Sequence, residues 1–436
     1  MDSRNYINNT HNFLEVESIK GLISLFPDVN TFTLPSLITR DITRLLRTKN
    51  NYSQISNNRI LAIEKCLYMI SNLTSTLYSD SKFKPLKSEV LHEQLKSGND
   101  NTFIYRKVII LLIDNNIIEV KTNDNKESYR TGVQSKQYKL NDRYIKPLVK
   151  TYDIQSNEII QKRNTIFYKT LKLSLVNPIC NNLINIYGSV KIPTIEEINK
   201  EAKRLIKLGY KTKKGKILTL RNKHTNEYWK DSDNRSFVED SIKIFDYYTK
   251  RGFMIPTVGS EKSGGRVVDS FTLIPSWIRA LIKINGSKLI ELDYSTLHPN
   301  LVSTLYNGSG KNISHDIVSN YLCIDRMTTK IENLSFWNKR VNDMMKSKLF
   351  KYYSDNESEM LNNVINEKLS KGYKITSKRL FKTEVTLMTK VIEQLNENGI
   401  NAIYVYDALM VEPKYEEITI YLMNTIAKDM GINTTV

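Results

Sequence analysis

The sequence predicts an α+β protein built from two or three domains. Three observations lead there. The chain has 436 residues, and domains run to roughly 150 residues each. Its N-terminal third carries apolar runs at helical spacing followed by a hairpin pattern, and its C-terminal part carries two short period-two segments that each run into an aspartate. The expected organisation is a helical segment over 1–50, a three-helix and hairpin domain over 51–150, a helical basic region over 151–260 and a domain over 261–436 that holds the chemistry.

Residues Asn57 to Tyr78 read as a helix, with Ile60, Ile63, Leu67, Ile70 and Leu77 at helical spacing. PLKSEVLHEQLKSG follows as a short amphipathic helix with Pro85 in its opening turn. NTFIYRKVIILLIDNN is a third, with Tyr105, Ile109 and Leu112 on one face. IIEVKT and KQYKL, separated by a polar stretch, read as two strands of a hairpin. Three helices and a hairpin resemble a winged helix-turn-helix. Its third helix would carry Arg106 and Lys107 into the major groove, where basic side chains reach phosphates and base edges. A small α+β domain that touches only protein is the alternative.

Lys and Arg outnumber Asp and Glu by 64 to 46, a formal net charge of +18, and nucleic acid is the commonest polyanionic partner. A genome rich in A and T would also enrich Lys, Asn and Ile. The basic residues concentrate in KRLIKLGYKTKKGKILTLRNK, Lys203 to Lys223, which has nine basic and no acidic residues. Lys211, Lys213 and Lys214 lie there beside Tyr210. Such a stretch neutralises backbone phosphates and makes binding salt-dependent, although a charge run is more often a solvated face.

In SKLIELDYSTLHPN, Leu289, Glu291 and Asp293 alternate with Ile290 and Leu292, the pattern of a strand with one buried face. The strand ends in Asp293-Tyr294-Ser295 and a helix-prone run follows. In GINAIYVYDALMVEP, Ile403 to Val405 make a strand, Asp407 stands at its turn, and Leu409 to Val411 return. The helix before it, SKRLFKTEVTLMTKVIEQL, places Leu380, Val385, Leu387, Met388, Val391 and Leu395 at apolar positions. Carboxylates at strand ends are rigid mounts for metal ions. Phosphoryl transfer asks for two such cations a few ångströms apart, held by one or two carboxylates. Taken singly, an aspartate at a strand end is more often a turn residue. Glu291 lies on the same strand face as Asp293, either as a third acidic ligand or as an ion-pair partner for a lysine.

These segments resemble the palm of family A DNA polymerases and phage-type single-subunit RNA polymerases. LDYSTLHP is similar to their first metal-binding motif, and YVYDALMVE to their third, with Tyr406-Asp407 in place of a His-Asp pair and Glu412 on the returning strand. SGGRVVDSFTLIPSWIRALI resembles the Thr-Gly-Arg and Ile-Pro-x-x-Arg stretches upstream, at Gly265, Arg266, Ile274, Pro275 and Arg279. The resemblance covers about 150 residues and is nearest to the short family A-related polymerases of viruses, transposons and mobile elements. It implies a C-terminal palm with an antiparallel sheet and reduced fingers, a thumb-like basic middle region and a winged-helix-like domain before them. It implies two Mg²⁺ ions, replaceable by Mn²⁺, on Asp293, Asp407 and the Tyr294 carbonyl. Arg266, Arg279 and Tyr406 would then grip a DNA primer–template, and nucleoside triphosphates would be substrates. Other replication proteins would be further partners.

The family also has a middle helix carrying Arg, then Lys four residues on, then an aromatic. NLSFWNKRVNDMMKSKLFKYYSD is the candidate, with Lys339, Asn342, Lys346 and Tyr353 on one face, and Arg340 substituting for the missing Arg. His298 stands where family A DNA polymerases keep the Glu that screens the sugar 2′-OH, so sugar choice does not carry over. Nothing resembles a proofreading exonuclease. The implied activity is DNA-directed DNA synthesis. An RNA polymerase or primase on the same palm, and a non-catalytic winged-helix replication initiator, remain as alternatives.

GSGK at Gly308 to Lys311 lacks the rest of a phosphate loop, and the five histidines form no metal-spaced pair. Cys66, Cys180 and Cys323 are odd in number and far apart, which suits reduced thiols. No apolar run approaches the roughly 18 residues of a membrane span, and the first residues are unlike a signal peptide. The expectation is a cytoplasmic protein without a membrane partner.

Overall fold

The computed structural model describes residues 21–78, 83–97, 103–123, 126–127, 135–144, 149–213, 215–221 and 233–436. The chain is α+β and divides into two compact units, one formed by 27–171 and the other by 1–26 with 172–436. Among the described residues no helix is long and apolar enough to cross a membrane.

In the unit formed by 27–171, β1 (Thr31–Pro35) pairs antiparallel with a strand near the unit's end, so the expected all-helical start contains a strand. Helix α1 is Ile38–Leu45. Helix α2 (Arg59–Ser71) starts at Asn58, whose side chain accepts from Leu61 N. It is shorter than expected, because a separate 3₁₀ turn covers Thr74–Tyr78. It is also no amphipathic surface helix. Every residue from Ala62 to Ile70 is buried, while Ile60 at its first turn is exposed.

After α2 come β2 (Lys84–Pro85), α3 (Ser88–Leu95), α4 (Ile104–Asp114), β3 (Ile118–Val120) and β4 (Gln137–Leu140). Pro85 therefore sits in a strand and not in a helix; it occupies an edge, where a missing N–H is tolerated. The sheet order is β2-β4-β3, all antiparallel, in the same unit as α2, α3 and α4. On α4, Tyr105, Val108 and Leu112 are buried and Ile109 is half-buried. β5 (Val149–Asp153) closes on β1, and α5 (Asn157–Leu175) follows. The wholly buried Glu64 accepts from Gln155 N at 2.6 Å, Ser156 N at 2.9 Å and Tyr152 Oη at 3.1 Å, capping the entry to α5.

The other unit begins with α6 (Pro178–Tyr187) and α7 (Ile195–Lys207), the latter opened by a Thr194–Glu197 capping box. A short parallel pair, β6 (Ile217–Thr219) and β7 (Arg235–Phe237), leads to α8 (Val238–Thr249). Next is an antiparallel pair, β8 (Thr257–Val258) and β9 (Val267–Val268), then α9 (Ser270–Leu273) and α10 (Ser276–Arg279).

Strand β10 is Ile290–Asp293, and five helices separate it from its sheet partners before two longer ones complete the interval. The five are α11 (Leu297–Leu305), α12 (His315–Leu322), α13 (Arg326–Phe336), α14 (Val341–Met345) and α15 (Lys348–Asn356). α16 (Ser358–Lys371) and the long α17 (Ile375–Glu397) follow. The single middle helix expected over Asn333 to Asp355 is three helices. Lys368, nearly buried on α16, breaks it: its Nζ donates to the carbonyls of Trp337, Lys339 and Tyr373 at 2.8, 3.1 and 2.8 Å, holding the turn after α13. Ser347 then caps α15 by accepting from Leu349 N.

β11 (Ile403–Val405) and β12 (Ala408–Val411) form a hairpin before α18 (Glu416–Asp429), and the sheet order is β10-β12-β11, all antiparallel. Every residue of β11 and β12 is buried. On α17, Leu380, Leu387, Met388, Val391 and Leu395 are buried as expected, and Val385 is half-buried. The hairpin's entry is tied to α6 by Asn182, itself fully buried. Asn182 Nδ2 donates to Ala402 O at 2.6 Å, and Ala402 N donates to Asn182 Oδ1 at 3.1 Å. An Asn182→Ala variant strands both backbone groups without partners and should cost about 2–4 kcal/mol. The check is a lowered midpoint in chemical denaturation of the full chain; an unchanged midpoint would contradict this.

Candidate active site

The sheet brings Asp293 and Asp407 to one end. Asp293 pairs with Ala408, and Val405 also pairs with Ala408, leaving Tyr406 and Asp407 as a two-residue turn. Such turns need a positive φ, usually supplied by glycine. Here Tyr406 supplies it at φ 61°, a conformation that costs a non-glycine residue of order 1–3 kcal/mol.

Asp293 ends an alternating strand, with Leu292 buried and Glu291 and Asp293 exposed. The turn after it is fixed from both sides. Tyr294 is buried and its hydroxyl donates to Met423 O at 2.8 Å. Ser295 N donates to Thr435 O at 2.7 Å, and Thr434 Oγ1 donates to Ser295 O at 2.7 Å. Glu291 is an ion-pair partner, 3.6 Å from Lys213 Nζ.

Both aspartates are pushed up in pKa. For Asp293, desolvation and then the Asp407 carboxylate raise it to about 7, with Lys213 and Lys330 pulling the other way. For Asp407, burial and then Glu384 raise it, against His298 and Arg266. Burial is the larger cause in both, so each carboxylate lacks the water that would otherwise solvate its charge. Hard carboxylate oxygens are what a magnesium-sized cation takes up, so the donor set fits. Among the described residues no group of three or more His, Cys, Asp or Glu side chains is placed to hold a metal.

Behind Asp407 stands Glu384, a fully buried residue of α17 that reads in the sequence as one polar position of an apolar helix. Arg266 grips it with two nitrogens, Nε at 2.7 Å from Oε1 and Nη2 on Oε2. His298 Nε2 lies 2.8 Å from Oε2, a contact that places the ring proton on that nitrogen. Burial would raise the Glu384 carboxyl, yet hydrogen bonds from His298 and Arg266 hold it below the usual range. The Arg266 guanidinium lies 3.9 Å from the Phe381 ring centroid and 4.9 Å from that of Tyr406. Gly264 makes this possible. It has φ 64°, and a Cβ there would fall 2.4 Å from Lys382 N, on the backbone of α17.

Other expected site residues lie elsewhere. Arg279 is buried, with Nη1 donating to Phe271 O at 2.8 Å and desolvation lowering its pKa, so it faces the interior and not a solvent-side phosphate. Tyr353 is fully buried against Phe336 and Trp337, and its hydroxyl donates to Asn333 Oδ1 at 3.0 Å, so it faces no sugar. Lys211 is exposed and bridges to Ile217. Lys214 and Lys223 of the basic run lie outside the described residues. Arg106 and Lys107 are exposed on α4, in the other unit, with Arg106 4.4 Å from the Phe103 ring centroid.

The lysines of the broken middle helix also move. Lys339 pairs with Glu332 at 2.9 Å, and Arg340 lies 5.2 Å from the Tyr373 ring centroid. Lys339 and the exposed Lys346 line a cavity of about 370 Å³ with Thr328, Glu332, Asp343, Ser347 and Lys348. Thr328 and Glu332 share one face of α13, and Lys330, two residues from each, points the other way. It is Lys330 whose charge acts on Asp293. Arg326 and Lys330 also have the Arg-then-Lys spacing expected of the middle helix, a signal already present in the sequence.

No family model matches this chain, and no curated protein matches it. Among solved structures, the "POL domain of Pol1 from M. smegmatis complex with DNA primer-template and dNTP" aligns over 64% of this chain and 72% of that one, with 10% identity and a TM-score of 0.37. The likeness is loose.

The raised Asp293 has a consequence for stability. Its folded pKa of about 7 lies above the ordinary 3.8, so between those values the folded protein holds a proton the unfolded chain has released. Stability therefore falls as pH rises through that window. An Asn at this position does not titrate. Without divalent cations, Asp293→Asn should gain thermal stability relative to wild type between about pH 5 and pH 8, and added Mg²⁺ should narrow the difference. A difference independent of pH would contradict the assignment.

Proposed function

We propose that this chain is a template-directed nucleotidyltransferase, a DNA-directed DNA polymerase without proofreading. The observation that carries the reading is the pair of carboxylates, Asp293 and Asp407, brought by strand pairing to one end of an antiparallel sheet, both raised in pKa first by burial. Two carboxylates and the Tyr294 carbonyl suit a pair of Mg²⁺ ions, with Mn²⁺ as a substitute. When bound, these ions supply charge neutralisation for the attacking and leaving oxygens of an in-line displacement.

The residues of the chain do the rest. Asp293 and Asp407 give up their raised protons and fix the geometry of the site. Lys330, on the face of α13 turned towards Asp293, balances charge on the β- and γ-phosphates of the incoming nucleotide, a role that Lys339 and Lys346 on the opposite side of α13 cannot share directly. Lys213, beside Glu291, adds positive charge at the same end of the sheet. The exposed basic face of α4 and the basic stretch around Lys211 supply sequence-independent contact with the nucleic-acid backbone.

The test is incorporation of labelled dNTP and NTP on primed and unprimed templates. Wild type should extend a DNA primer only with Mg²⁺ or Mn²⁺ present, and Asp407→Ala should lose at least about 10³-fold in rate. Extension by Asp407→Ala at the wild-type rate would sink the proposal; extension with NTP in preference to dNTP would make the protein an RNA polymerase or primase. Lys330→Ala should raise KM for the nucleotide by roughly tenfold or more, with Lys346→Ala much milder. The reverse ranking in steady-state kinetics would return the nucleotide to the cavity behind α13.

A further inference from the structure

We infer that Glu384 is a positioning residue that holds the two aspartates in register, through one buried carboxylate shared by the segments on either side of them. The inference rests on the proposed metal site. Strand pairing fixes the Cα positions of Asp293 and Ala408, but it leaves two things free: the direction of the chain after Asp293 and the conformation of the Tyr406-Asp407 turn.

Glu384 acts on both. On one side it binds His298, five residues after Asp293 and in the first turn of α11, at 2.8 Å. On the other it binds Arg266 with both oxygens engaged, and the Arg266 guanidinium lies across the Tyr406 ring. The same guanidinium is backed by Phe381, one turn before Glu384 on α17. Tyr406 holds a left-handed backbone that glycine would adopt freely, so a contact that fixes its side chain helps to keep the turn in place. The clamp supplies it. Glu384 itself is wholly buried, out of reach of solvent. An exposed ion pair would serve poorly here, since its long side chains rearrange at little cost.

A structural ion pair and a positioning one both destabilise when broken, so stability does not separate them. Metal affinity does. Supports of this kind change metal affinity by about ten- to a hundredfold when removed. Mn²⁺ binding to the full-length protein, read by electron paramagnetic resonance, is therefore measured for wild type, Glu384→Ala, Glu384→Gln and Asp407→Asn, with circular dichroism confirming the fold. The Gln variant keeps one acceptor and nearly the same volume, so it decides the question if Glu384→Ala does not fold. The expected result is a Mn²⁺ affinity lowered about tenfold or more in Glu384→Ala and less in Glu384→Gln, with kcat for primer extension falling and KM for the primer–template little changed. Arg266→Met should lower affinity similarly, and the double variant should be no worse than either single one.

A folded Glu384→Ala or Glu384→Gln with wild-type Mn²⁺ affinity overturns the inference, as do effects of Glu384 and Arg266 that simply add. The two readings fail separately. If Asp407→Asn loses Mn²⁺ while the Glu384 variants keep it, the clamp alone is wrong; if wild type binds no Mn²⁺, or Asp407→Asn binds it unchanged, the metal site falls and the clamp with it.

Discussion

Two carboxylates that repel one another are held at the same end of one small sheet, and much of the surrounding structure exists to sustain that repulsion. Backbone pairing of β10, β12 and β11 sets their separation, and full burial of β11 and β12 denies the strands room to slide. Sliding by one residue would turn every side chain to the other face and part the aspartates. Asn182 pins one end of the hairpin, and the Tyr294 hydroxyl and the segment at Thr434 and Thr435 pin the turn after Asp293. The site is thus held from several sides by contacts within the protein, the preorganisation that the proposed reaction would call for.

Much of this was legible in the sequence because period-two alternation is a strong local signal. Strand β10 and Asp293 fall where the alternation puts them, β11 and β12 are short apolar runs on either side of the turn at Asp407, and the helix before them follows helical spacing. The three helices and hairpin of 51–150 are similarly local, and only the short strand at Pro85, made by pairing with a distant segment, escapes a pattern argument.

What could not be read were the residues whose role depends on a partner far along the chain. Glu384 looks like an ordinary polar residue of a long helix; its partners are 118 and 86 residues away. The middle helix failed for a related reason. Helical periodicity runs on through Lys339 and Arg340, and nothing nearby announces that a lysine on another helix will capture two of its carbonyls. Tyr353 and Arg279 lie in the interior because an aromatic hydroxyl or a guanidinium can be satisfied inside a core by a single carbonyl or amide. Lys330 was available at the right distance from Arg326, but a helix seen only as a sequence has no direction in which to point.

The contacts that fix the turn after Asp293 join residues 129 and 139 positions apart, and Asn182 reaches across 220 to Ala402. Contacts of such range form late, since the chain must first close long loops against entropy. During folding, then, the two aspartates meet only when the unit that bears them has closed.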